Sequence, residues 1–126
     1  MLLNRLLILN LALLIGHQCD AAYWHEWDMF HLPGGIQLFN VLNVLIFIVL
    51  LAWLPAIIQR RRPGYRYAWV IAAICCIVLP IHSGFALAGV AGFELPVSVA
   101  LIVATFIGGC LQMLVTMKCK GEFIHG

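Results

Sequence analysis

The sequence predicts an all-α fold, a four-transmembrane-helix bundle with its N and C termini cytoplasmic. Three observations carry this. Hydrophobic residues make up 64% of the 126 residues and charged residues only 10%, far too apolar for a soluble domain of this size. Four apolar runs have the length of membrane spans. All seven Lys and Arg residues fall on one side when those runs cross in alternation, as the positive-inside rule requires. The chain reads as a single integral membrane domain, 1–126, with spans at about 3–22, 36–58, 68–90 and 96–117.

The first run carries Arg5 near its start, and its uninterrupted part, 6–16, is 11 residues long. That length suits either a short span or the h-region of a signal peptide. His17, Gln18 and Asp20 make a poor cleavage region, so the expectation is a retained helix reaching about Ala22. Leu32-Pro33-Gly34-Gly35 is a turn signal. The second run carries Gln37, Asn40 and Asn43 three residues apart, a polar stripe in its first half. A basic loop, 59–66, follows. The third run contains Pro80 and His82, and a short connection with Glu94 leads to the fourth, closed by Lys118-Cys119-Lys120.

In this threading Arg5, Arg60, Arg61, Arg62, Arg66, Lys118 and Lys120 lie inside, and Asp20, Glu26, Asp28, Glu94, His25 and His31 lie outside. Tyr23, Trp24 and Trp27 suit an outer aromatic belt, and Tyr65, Tyr67 and Trp69 an inner one. Small residues recur every four positions in the third span (Ala72, Cys76, Pro80, Gly84, Ala88) and in the fourth (Ala100, Ala104, Gly108). Such rows let helix backbones approach closely, so the third and fourth spans are expected to pack as a hairpin along them. Gln112 reads as a helix–helix hydrogen bond. The five cysteines are odd in number and form no C-x-x-C, which supports neither a disulfide framework nor a zinc ribbon. Cys75, Cys76 and Cys110 read as small apolar fillers.

One polar stretch stands out, residues 17–31, with three of the five acids and three of the five histidines. His17, Asp20, Ala21 and Trp24 fall on one helical face. His82 lies about 14 residues into the third span, roughly 21 Å along its axis, at the height of His17. Asn40 and Asn43 descend towards the same layer. Ionisable groups at membrane depth are costly and face the bundle interior. The candidate metal residues are His17, Asp20, His82 and Glu26. Imidazole with carboxylate suits a divalent metal such as zinc or iron, and two histidines on different helices suit a haem. The alternatives are an interhelical hydrogen-bond cluster that fixes packing, and a proton or substrate site. His25 and His31 read as interfacial residues.

The stretch resembles a family of small, uncharacterised bacterial multi-pass membrane proteins with His-Glu-x-Asp-Ala, then Glu-Trp, at the end of the first span. His17-Gln18-Cys19-Asp20-Ala21 and Glu26-Trp27 correspond. Those proteins also carry His-x-x-x-His in the third span; here His82 matches and Ala86 stands at the second position. Gln18 stands where the acid would be. The resemblance implies a bacterial inner-membrane location and a site in this stretch.

Two functions of different class follow. One is a non-enzymatic membrane subunit or accessory factor, with the lipid bilayer and a membrane protein partner or a second copy around it. The other is a metal- or haem-binding membrane enzyme or redox protein using His17, Asp20 and His82. Nucleic acid is not a partner: the cations are few and sit against membrane segments. A small transporter is disfavoured without an internal repeat. A quinone-linked thiol oxidase would need paired outer cysteines, and Cys19 is the only one there.

Overall fold

The structure, a computed structural model, describes residues 2–123, which are all helical or irregular and contain no strand. The terminal positions 1 and 124–126, which the single domain 1–126 includes, lie outside the described residues. The elements are α1 (Leu2–Tyr23), a single turn α2 (Glu26–Met29), α3 (Gly35–Ile58), α4 (Arg62–Leu87), α5 (Pro96–Lys118) and a final 3-10 turn, Lys120–Phe123. The four longer helices are each long and apolar enough to cross a membrane. α4 begins at Arg62, before the expected start of the third span, because Pro63 sits in its first turn, where a missing N–H costs nothing.

Three helices share one buried repeat. The buried positions include Leu3, Leu7, Asn10, Leu14, His17 and Ala21 in α1. In α4 they include Gly64, Ala68, Ile71, Cys75, Val78 and His82. In α5 they include Ser98, Ile102, Thr105, Gly109, Gln112 and Thr116. Each set steps alternately by four and three residues, the 3.5-residue repeat of helices packed near +20°. α5 lies between α1 and α4 and packs extensively on both. α3 packs on α4 and only lightly on α1, and its buried residues are just Phe39, Leu50 and Ile57.

The α4–α5 pairing is the most extensive in the fold, and it follows the expected rows of four only in part, where Ala72 and Cys76 meet α5. Gly109, not Gly108, lies against α4: a Cβ there would meet Cys75 Cβ at 2.7 Å and the Ala72 carbonyl oxygen at 2.9 Å. Gly108 faces Asn10 of α1 instead. Gly84 has open space around it, and Ala88 and Ala100 are exposed. Small residues alone do not identify a seam in lipid, where Leu and lipid tails are equally apolar.

The seam is marked by polar groups. Asn10 Nδ2 donates to the Gly108 carbonyl at 3.0 Å and to Gln112 Oε1 at 2.7 Å. Gln112 Nε2 donates to the Ala68 carbonyl at 2.8 Å. This buried chain runs α1–α5–α4. Gln112 thus bonds between helices as expected. Asn10 was hidden inside a run that reads as uninterrupted.

At the cation-rich end, Arg60 gathers three segments. Its Nε donates to Glu122 at 2.8 Å and its Nη1 to Asn4 Oδ1 at 3.0 Å, and its guanidinium lies 5.2 Å from the Phe123 ring centre. The start of α1, the α3–α4 turn and the end of α5 therefore meet at one end of the bundle. The polar stretch is at the other.

Candidate functional site

His82 closes the buried stripe of α4 and His17 lies on the last buried turn of α1, one step before Ala21, so both point into the bundle at its polar end. Their Nε2 atoms are 3.1 Å apart, and the rings meet edge to face with centres 4.9 Å apart. Glu26 arrives from outside the spans. His25, at φ 54, turns the chain out of α1 and into α2. Trp27 then anchors α2 by packing on Phe39 of α3, with ring centres 5.4 Å apart. This brings Glu26 Oε1 to 3.4 Å from His82 Nε2. One ligand atom each from His17, Glu26 and His82 all lie within 4.8 Å of one another, and all three residues are buried.

Phe93, from the connection between α4 and α5, covers this group. Its ring centre is 4.2 Å from that of His82 and 5.7 Å from that of His17. It holds φ 61, a left-handed conformation that is uncommon for a bulky residue and costs about 1–3 kcal/mol. Packing on two imidazoles and on Trp24 holds it there.

Asp20 stands outside the three. Its Oδ1 accepts from Ser98 Oγ at 2.9 Å, and Ser98 Oγ accepts from Trp24 Nε1 at 3.0 Å. These bonds tie the end of α1 to the start of α5. Asp20 Oδ2 is buried with no partner, and so is His17 Nδ1. Glu26, in the connection between α1 and α3, is pushed up to about 7 by burial and then by the charge of Asp20. A buried carboxyl with a second carboxylate nearby is the setting in which a bound cation is most favourable.

The structure therefore brings His17, His82 and Glu26 together and leaves Asp20 beside them. Asn40 and Asn43 do not reach the layer. Asn43 donates to the Phe39 carbonyl of its own helix at 3.0 Å, and Asn40 is exposed. His25 and His31 are exposed, and His25 stacks on Trp27. Trp27 is only 8% exposed, a buried anchor rather than a belt residue. Phe93 escapes the sequence pattern; its one signal was an aromatic residue after Gly92 in the short connection between α4 and α5.

The group of three opens onto a cavity of about 180 Å³ between α1, α2 and α4, walled by Leu14, Ile74, Ile77 and Ile81. The Nε2–Nε2 separation is too short for a haem. An axial pair spans about 4 Å, twice a metal–nitrogen bond of ~2.0 Å, with the macrocycle between them.

The family described as "Family of unknown function (DUF6713)" matches residues 3–119 of the chain. No curated protein and no solved structure matches.

Proposed function

Because the chain belongs to DUF6713, a family of unknown function, its chemistry has to be read from its own site, and we propose that it is a multi-pass membrane protein holding one divalent metal ion between His17, Glu26 and His82. The observation that carries this is the convergence of three buried ligand atoms from three separate elements within 4.8 Å. Ligands of a tetrahedral ion with ~2.0–2.1 Å bonds stand about 3.3–3.4 Å apart. Two of the three separations, 3.1 and 3.4 Å, are close to that edge, and the third lies within 4.8 Å. Two imidazoles and one carboxylate suit zinc or iron(II) and leave a coordination position free. Here that position faces the small cavity. Phe93 keeps the outer side dry.

The orientation belongs to the same proposal. The cation-rich end faces the cytoplasm of a bacterial inner membrane, and the metal lies near the outer face. The single-sided cations and the resemblance of residues 17–27 support this.

A second reading rests on the same distances. Without an ion, a hydrogen bond between the two imidazoles and a contact to Glu26 hold three elements together, and the protein is a structural subunit or accessory factor. Metal content separates the two. Protein purified in mild detergent should carry about one zinc or iron per chain by elemental analysis, or take up one Co²⁺ with visible bands typical of a four-coordinate site. His82→Asn should abolish either signal. A metal-free parent with no cobalt uptake leaves the structural reading standing.

A further inference from the structure

α3 stands off from α1, and the seam between them is a groove of about 660 Å³ open to the side of the bundle. Its two ends differ in chemistry. Gln18, Asn40 and Asn43 line it towards the outer face, and Phe47, Ile48 and Leu51 line it deeper. From Phe39 to Leu51 it follows α3 for about 18 Å at ~1.5 Å per residue, more than half of a ~30 Å hydrocarbon core. Gln18 also lines the small cavity that holds His17, Glu26 and His82. It follows His17 directly in α1 and is the residue that lines both spaces.

We propose that the centre binds a neutral, long-chain lipid that enters from the membrane, its chain in the α1–α3 groove and its polar carbonyl head at the metal past Gln18. This rests on the metal reading above. The amides at the outer end offer donors to a carbonyl, and the deeper walls offer nothing polar. The head is neutral because Glu26 and Asp20 together offset the two charges of the ion, so a further anion gains little at the free position. An acylglycerol ester has this chemistry.

The test uses a monoacylglycerol with a diazirine at its chain end and the full-length protein in detergent. Photolabelled residues are mapped by peptide mass spectrometry, and the Co²⁺-loaded protein is titrated with the same lipid. The expected result is labelling confined to the α1–α3 groove, competed by unlabelled monoacylglycerol, with a shift of the cobalt bands. Val44→Trp fills the groove away from the metal ligands and should abolish labelling while the bands of the lipid-free protein stay unchanged. Gln18→Leu should weaken the lipid-induced shift about tenfold, the loss of one hydrogen bond. Labelling spread over all lipid-facing helices without competition overturns the proposal. So does a fatty acid of the same chain competing as well as the ester, or groove labelling with cobalt bands that do not move. In that last case the metal reading survives. Absence of cobalt bands in the parent defeats both, whatever is labelled.

Discussion

Glu26 Oε1 stands 3.4 Å from His82 Nε2, although one residue sits in the connection between α1 and α3 and the other ends a buried stripe of α4. Asp20, which shares a helix with His17, is bonded to Ser98 instead. The carboxylate that joins the two imidazoles is therefore Glu26. Glu26→Ala should lose the bound ion, measured as metal per chain. Asp20→Asn should retain it, because the amide can still accept from Ser98. Equal loss in both variants would move the site back towards Asp20.

The pH dependence has a defined sign. Burial and then the Asp20 charge push Glu26 up to about 7 from 4.5. The folded state thus holds this proton more tightly than the unfolded chain. The stability it contributes is complete below about pH 4.5 and is lost as pH rises through about 7. At ~1.36 kcal/mol per pH unit the effect is a few kcal/mol. Metal-stripped parent should therefore lose melting temperature relative to the metal-stripped Glu26→Gln variant between pH 5 and pH 8, because the amide stays neutral throughout. Added Zn²⁺ should restore the melting temperature near pH 8, since the ion takes the place of the proton.

Asn10 and Gln112 should be energetically coupled. Their 2.7 Å bond is fully buried, and interhelical bonds in membranes average about 0.6 kcal/mol with a maximum near 1.7. Asn10→Leu strands the Gln112 carbonyl oxygen in a dry seam and should cost about 1–2 kcal/mol. The double replacement Asn10→Leu with Gln112→Leu should cost less than the two singles added together. Denaturation in mixed micelles by SDS reads this. Strict additivity would mean that the bond does not form.

Reporter fusions test the orientation. Arg60 draws the start of α1, the α3–α4 turn and the end of α5 to one end. Fusions after Arg66 and after Lys120 should report cytoplasmic, and a fusion after His31 external. A cytoplasmic reading at His31 would overturn the arrangement.

Four helices long and apolar enough to cross a membrane, the gathering of cations at one end, and the stretch that supplies His17 and Glu26 to the cluster were all legible in the sequence. Those features need only composition, length and charge. The sequence also placed His17 and His82 at one height, because helical rise is fixed per residue. Which faces meet was decided by tertiary structure. In an apolar chain a lipid-facing Leu and a buried Leu look alike, so the rows of small residues marked a seam that the helices use only at Ala72 and Cys76, which meet Gly109. The buried 3.5-residue repeat emerges only once Asn10, Thr105, Gln112, His17 and His82 are seen on it. The choice of Glu26 over Asp20 was likewise tertiary. A left-handed turn at His25 and the packing of Trp27 on Phe39 carry Glu26 inward, and neither follows from helical periodicity. Phe93, brought over both imidazoles by a connection without periodic structure, was beyond the reach of pattern for the same reason.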